Sequence, residues 1–390
     1  MKNWSFAFFL AKSKIKKINP QIVSNAKNYI ENQLQNNVPV ILTLGHLAKR
    51  ANIAYWKLHF LTHHRILNYK TFNIKKHSGG YRRIFVPKPE LMYIQKWINK
   101  FILSNLKSSQ YSFAYTKGLS IKDCSEPHID CKWLIKLDLH QFFESISEIQ
   151  VYKLFHSLGY SKLLSLQFAR ICTITVPKNT ILTKIKKNSI PKWMHWNNRK
   201  YKIYNEKQIG FLPQGAPTSP ALANLIASKM DYDISELAIK NDFIYTRYAD
   251  DLFISSQNSK LTKEEVTKIV YQIYQILPKY GFKINQQKTK IIGPGARKVI
   301  LGLLVSNKVT LMKSRKAHLE CELYYFIKDP IYHCQNRNIS NIFSYSNHLK
   351  GLLSFIYGID KNYYKQLEER NLIPDFDLLF NKLTQYDLSN

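Results

Sequence analysis

Two adjacent carboxylates, Asp250 and Asp251, lie between the apolar triplets Phe243-Ile244-Tyr245 and Leu252-Phe253-Ile254. Short aromatic and β-branched runs on either side of a polar break predict two strands flanking a tight turn. Two like charges at such a tip, beside buried strands, repel each other and lose hydration, so the arrangement is unfavourable unless a cation sits between them. A hard divalent ion such as Mg²⁺, which takes oxygen ligands, meets that need. A solvated turn bearing two acids is the plain alternative, and a bare Asp-Asp pair favours it.

Other segments reverse that balance. Lys136-Leu137-Asp138-Leu139 places a lone acid at the end of an apolar strand, 112 residues before Asp250. Between them, Gly210-Phe211-Leu212-Pro213-Gln214-Gly215-Ala216-Pro217-Thr218-Ser219-Pro220 reads as a stiff loop with its backbone accessible at Gly215. The rest of the chain carries the opposite charge: 58 Lys and Arg against 26 Asp and Glu give a net charge of +32. Such an excess repels itself unless a polyanion neutralises it, which makes nucleic acid the leading partner and an anionic membrane surface the second. The 25 Tyr, 21 Phe and 6 Trp add rings on which unpaired bases stack, although most rings in any chain are core.

With 390 residues, 45% of them hydrophobic, the chain has material for two or three packed subdomains and is neither disordered nor a small stapled fold. Cys124, Cys131, Cys172, Cys321 and Cys334 are odd in number and form no C-x-x-C pair. Neither a zinc knuckle nor a disulfide framework is suggested, and a reducing cytoplasm fits. No apolar run is long enough to span a bilayer, so a soluble, cytoplasmic protein without a membrane partner is expected. The short stretch Trp4 to Ala11 is read as an amphipathic helix packed on the body.

Asn19-Pro20 predicts a helix start, with spaced apolar residues to about Gln35. Leu42 to Leu61 reads as two short helices broken near Ala51-Asn52, ordinary packing helices rather than a DNA-reading helix-turn-helix. Thr71–Ile74 and Tyr81–Val86 form a basic hairpin around Ser78-Gly79-Gly80, followed by a helical stripe at Leu91, Ile94, Ile98 and Ile102. A strand over Trp133–Leu139 and a helix from about Ser147 come next. Thr173 to Ile209 reads as a surface excursion or a nucleic-acid-facing insertion. Pro217–Ile239 and Leu261–Leu277 are helical, Lys283–Ile292 and Val299–Val305 strand-like, and the remainder, including Leu349–Ile359, helical.

The ordered set of Asp138, then P-Q-G-x-x-x-S-P from Pro213, then Y-x-D-D from Tyr248, resembles the palm of reverse transcriptases. The resemblance covers roughly Thr71 to Leu367. Gly80-Tyr81-Arg82-Arg83-Ile84 and Lys117-Gly118-Leu119-Ser120-Ile121 are similar to the family's fingers. Gly281-Phe282-Lys283-Ile284-Asn285 with Lys288-Thr289 is similar to its next palm motif, Ile300-Leu301-Gly302-Leu303 to its primer grip, and Leu349-Lys350-Gly351-Leu352-Leu353-Ser354-Phe355 to a thumb helix of retron enzymes.

The fold this implies is α+β, a right-hand polymerase of fingers, palm and thumb. Its expected parts are an N-terminal helical extension over 1–65, fingers over 66–134, a palm over 135–312 with a segment inserted at about 173–220, and a helical thumb over 313–390. The implied cofactor is a pair of Mg²⁺ ions on Asp138, Asp250 and Asp251, with the Leu139 carbonyl as a further ligand. Arg82 would grip the triphosphate, and Phe143 would exclude a ribose 2′-hydroxyl, so deoxynucleoside triphosphates are the expected substrates. Gln214, Gly215 and Ala216 would support the nascent base pair, Lys288 would protonate pyrophosphate, and Tyr248, Leu301 and Gly302 would lie along primer and template.

Among reverse transcriptases, the short fingers and thumb are similar to the retron type. That type implies a structured noncoding RNA, an RNA-DNA product primed from an internal 2′-hydroxyl, and antiphage defence with a separate effector protein. Cys124-Ser125-Glu126-Pro127-His128 keeps only the histidine of a motif that many retron enzymes share there, and Ile300-Leu301-Gly302 stands where they read Val-Thr-Gly; both positions bear on RNA recognition. A protein-primed relative in defence and a catalytically silent RNA-binding scaffold are the alternatives.

Overall fold

The computed structural model describes residues 5–63, 68–75, 79–175 and 209–377. Four helices open the chain: α1 (Phe6–Ile15), α2 (Pro20–Gln35), α3 (Leu44–Ala51) and α4 (Tyr55–Leu61). The α2 start is as the sequence predicts, with the Asn19 side chain accepting the Gln21 N–H and Pro20 where a missing donor is harmless. Helix α3 stops at Asn52, which adopts a left-handed φ of 51°. Leu44, Leu47, Ala48, Ala51, Leu58 and Leu61 all point into the main core, so α3 and α4 pack as ordinary helices.

Helix α1 departs from expectation. It runs from Phe6 to Ile15, and its apolar residues do not segregate to one side: Phe6, Phe9 and Leu10 are half-covered while Phe8 is 60% and Ile15 79% exposed. A run such as Phe-Ala-Phe-Phe-Leu-Ala puts apolar groups all round a helix, so it cannot be amphipathic.

Next come β1 (Tyr69–Lys75) and β2 (Tyr81–Pro87), an antiparallel hairpin, then α5 (Pro89–Phe101), α6 (Ile121–Ser125), β3 (Trp133–Asp138), α7 (Glu148–Ser157) and α8 (Lys162–Cys172). The excursion expected over 173–209 lies, apart from its ends, outside the described residues. The chain continues with α9 (Ser219–Lys240), β4 (Ile244–Tyr248), β5 (Asp251–Ser256), α10 (Lys263–Ile276) and β6 (Lys290–Ile292). Strands β4, β5, β3 and β6 form one antiparallel sheet in that order. Helices α7 to α10 cover it, and their apolar faces merge with those of α3 to α5 in one core.

Two strand expectations need correction. Lys283–Ile292 is a strand only at its end, because the Asn285 N–H is drawn to the Asp138 carbonyl (2.8 Å) and Gln286–Lys288 winds into a single tight turn. Val299–Val305 is two strands, β7 (Val299–Ile300) and β8 (Leu303–Val305), joined by Leu301-Gly302 with φ of 49° and 82°. Positive φ at both central residues is the turn whose twist suits a two-residue hairpin. A further strand that the sequence pattern does not reveal, β9 (Val309–Leu311), completes this second sheet.

Helices α11 (Lys313–Lys328), α12 (Pro330–Asn336), α13 (Ile342–Ile359) and α14 (Lys361–Glu369) then pack around their own core of Leu319, Leu323, Phe326, Leu353 and Ile356. A small cluster of Cys124, Cys131, Leu134, Phe253, Ile300 and Val305 ties the second sheet to the back of the first. The α+β class expected from the sequence is the one observed. No helix among the described residues is long and apolar enough to cross a membrane.

Candidate active site

The backbone alone brings the three acids together. Strand β3 pairs antiparallel with β5 so that Asp138 stands opposite Asp251, and β4 pairs with β5 so that Tyr248 stands opposite the same residue. The two-residue link Ala249-Asp250 closes the tip, with Ala249 at φ 56°. The Leu139 N–H donates to the Asp250 carbonyl (2.8 Å), locking the end of β3 to the turn. Asp138, predicted from a strand 112 residues away, therefore meets Asp250 and Asp251 at one sheet end.

The electrostatics show what this convergence costs. Burial, then repulsion from Asp138, raises the Asp250 pKa. Burial, then Asp250 and Asp138, pushes that of Asp251 up to about 6. Lys288 stands in as counter-charge: its Nζ donates to Asp138 Oδ2 at 2.8 Å, and that bond raises the lysine's own pKa. Lys288 is thus held against the acids while its side chain stays about half exposed to solvent. The tight turn that breaks the expected strand is what delivers it there.

Among the described residues, no three His, Cys, Asp or Glu side chains are already drawn into a closed cation cage. The donor chemistry nevertheless fits a hard divalent ion. The acids supply oxygen ligands, and the raised pKa values of Asp250 and Asp251 reflect burial and carboxylate repulsion that a cation would relieve.

Around the acids, Arg82 on β2 acts electrostatically on Asp250. Tyr115, which the sequence analysis missed, joins this group: burial, then Asp250, raises its pKa, and its ring lies 6.3 Å from that of Phe143. Phe143 is half-buried, packed both on Phe142 and against Tyr115. The Tyr115 signal was its left-handed φ of 58°, which no sequence pattern announces.

The loop at Gln214 docks on β2, where the Phe85 N–H donates to the Gln214 carbonyl (2.8 Å). Gly215 needs correction here. At φ 109°, a Cβ on it would lie 2.7 Å from Ile84 Cγ2 and 2.9 Å from the Phe85 carbonyl oxygen. The glycine is there because the hairpin fills the space on that side, which is not the open backbone expected. Ala216 is buried beside it. Leu301 and Gly302 form the β7–β8 turn, and the Arg315 guanidinium packs over Gly302.

His128 also differs from expectation. It is fully buried, hydrogen-bonded through Nδ1 to Ser255 Oγ (2.6 Å) and through Nε2 to Thr246 Oγ1 (2.8 Å), and burial pushes its pKa down to about 3. This buried histidine, on a short turn packed against the sheet, pins the neighbouring strands β4 and β5 together.

Behind the acid turn lies a network that the sequence analysis did not single out. Arg247, fully buried on β4, donates to Asp231 Oδ1 (2.7 Å) and Oδ2 (2.8 Å), to Asn224 Oδ1 (3.0 Å) and to the Ala249 carbonyl (3.1 Å). The Asn224 amide donates onward to the Ala114 carbonyl (2.7 Å), and the Arg247 backbone bonds the segment at Tyr111 and Phe113. A bidentate guanidinium thus fixes the strained residue of the turn to α9 and to the loop carrying Tyr115. The available signal was an arginine inside an apolar strand, and Asn224 and Asp231 seven residues apart on the apolar stripe of α9.

A sheet end bearing three clustered acids, a lysine and a docked P-Q-G loop is the palm of a polymerase. The profile of the family described as reverse transcriptase (RNA-dependent DNA polymerase) matches residues 74–316, and the chain belongs to that family. Several of its relatives are retron reverse transcriptases. It is 32% identical to the retron Ec86 reverse transcriptase of Escherichia coli, over 85% of this chain and 88% of the relative. It is 27% identical to the retron Ec83 enzyme of Escherichia coli, over 78% and 86%. With the retron Mx65 enzyme of Myxococcus xanthus it shares 26%, over 78% of this chain and 65% of that longer one. The fold is accordingly the right-hand polymerase fold, and the activity RNA-directed DNA polymerisation.

Proposed function

We propose that this enzyme copies part of a structured noncoding RNA into single-stranded DNA, primed from an internal 2′-hydroxyl of that RNA, in the cytoplasm and in antiphage defence beside a separate effector protein. The observation that carries the polymerase chemistry is the meeting of Asp138, Asp250 and Asp251 at one sheet end with Lys288 bonded to Asp138. Likeness to several retron enzymes supports the RNA and its priming. The parts divide as helical extension to about residue 65, fingers to 134, palm to 312 and thumb beyond.

Asp138, Asp250, Asp251 and the Leu139 carbonyl would hold two Mg²⁺ ions. When bound, the ions supply activation of the attacking hydroxyl and stabilisation of the departing pyrophosphate. The protein's own groups do the rest. Arg82 clamps the triphosphate, and the Phe143 ring, braced by Phe142 and Tyr115, closes the space a ribose 2′-hydroxyl would need. The docked loop Gln214-Gly215-Ala216 supports the nascent pair from a rigid strand. Lys288, kept protonated beside Asp138, is placed to give its proton to pyrophosphate. Tyr248, Leu301 and Gly302 seat the primer and template.

The test is incorporation of labelled deoxynucleotides on an RNA template by the purified protein and by Asp250→Asn, with the copurifying nucleic acid sequenced. Equal incorporation by both proteins sinks the catalytic assignment. A product lacking a 2′-linked RNA sinks the retron priming.

A further inference from the structure

Helix α4 presents a face made of rings to solvent. Tyr55 is 55% and Trp56 68% exposed, and His59, Phe60 and His63 lie exposed on the same side, one and two turns further along. Tyr55 and His59 stack with centroids 5.8 Å apart, and His59 meets His63 edge-on at 4.9 Å. On the opposite face, Leu58 and Leu61 are locked in the main core. The Tyr93 hydroxyl, donating to the Ala51 carbonyl at 2.6 Å, steadies the turn before α4. The rings are thus held on a rigid support.

Grouped aromatic surface facing water marks a contact site more often than an accident of packing. The charge of the segment that carries it points to the partner. Lys57 Nζ lies 5.6 Å over the Trp56 ring. Between Glu31 and Glu90 the sequence holds no Asp or Glu at all, against ten Lys and Arg. Flat π faces with a cation over one of them, on so basic a segment, suit a strand whose bases are free to stack and whose phosphates need cations. A duplex keeps its base faces hidden and would leave the rings uncovered.

We propose that the Tyr55, Trp56 and His59 face of α4 is a stacking platform for unpaired bases of the RNA that this enzyme carries, on elements that take no part in the acid cluster. The proposal rests on the nucleic-acid partner of the preceding section. Single-stranded RNA is the one occupant it names.

The test uses full-length protein whose polymerising groove is first saturated with a short RNA–DNA hybrid. Fluorescein-labelled oligoadenylate is then titrated by anisotropy into the parent, Trp56→Leu and Trp56→Phe. Leucine keeps apolar bulk but removes the ring, so Trp56→Leu should bind about tenfold more weakly while Trp56→Phe stays within about threefold of the parent. Photocrosslinking of 4-thiouridine RNA should place adducts on α4.

Equal affinity of Trp56→Leu and the parent overturns the proposal. So does loss of a copurifying protein from Trp56→Leu with RNA affinity unchanged, which would assign the face to a protein. Primer extension on the same hybrid separates the two readings. Extension by all three proteins with no difference in oligoadenylate binding sinks the platform alone, and no extension by the parent sinks the polymerase reading.

Discussion

Asp231→Asn tests whether the buried Arg247 network holds the catalytic turn. The substitution keeps shape and removes one charge, so Arg247, with 0% exposure, loses the anion that accepts its bonds at 2.7 and 2.8 Å. Two charge-assisted hydrogen bonds are worth about 1.5–3 kcal/mol each, and breaking one side of a buried ion pair costs about 3–5 kcal/mol, so the two routes agree on a loss near 4 kcal/mol. Against a total stability of about 5–15 kcal/mol that loss is large, and it should show as a much lower urea midpoint.

A double variant, Arg247→Met with Asp231→Leu, separates stability from positioning. With neither charge present no buried ion is stranded, and part of the lost stability should return, the Tyr245 hydroxyl still lacking the Asp231 carboxylate it donates to at 2.8 Å. The Ala249 carbonyl and the Asn224 side chain still lack the guanidinium, so deoxynucleotide incorporation should stay well below the parent's. Unfolding of Asp231→Asn within about 0.5 kcal/mol of the parent, or parental incorporation by the double variant, would refute this account of the turn.

Gly215→Ala should destabilise the protein by about 2–4 kcal/mol, because a left-handed backbone and an overlap with Ile84 and Phe85 add together; denaturant unfolding measures it. Gly79→Ala, with φ 85° but nothing within 4 Å, should cost only about 1 kcal/mol, and equal losses at both sites would contradict the packing explanation. His128 gives a pH signature. Its folded pKa, about 3, lies below the ordinary 6.5, so the unfolded chain binds the extra proton and stability falls as pH drops below about 6.5. The loss reaches about 3 kcal/mol near pH 4.5 at 1.36 kcal/mol per unit, and His128→Gln should flatten that acid limb in unfolding measured from pH 7 to 4.5. An unchanged limb would mean that other groups carry it.

The acids were legible in the sequence because each sits at a place that local pattern marks, the end of an apolar strand or the tip between two. Pairing them required only that β3 join β5, two runs that the core buries almost throughout. Arg247 and Asp231 were not legible for the same reason in reverse. A charge within an apolar strand reads as an outward-facing residue until its partner is known, and that partner lies sixteen residues earlier on a helix whose register only packing fixes. Lys283 to Ile292 shows how a site overrides periodicity. The segment has strand composition, yet the Asp138 carbonyl takes the Asn285 N–H, and the chain turns where a ladder would otherwise continue. That turn puts Lys288 on Asp138. The residue that the resemblance placed in the site therefore reaches it through the feature that the strand pattern misread: a strand continued through 288 would have left no turn to bring the lysine onto the acids.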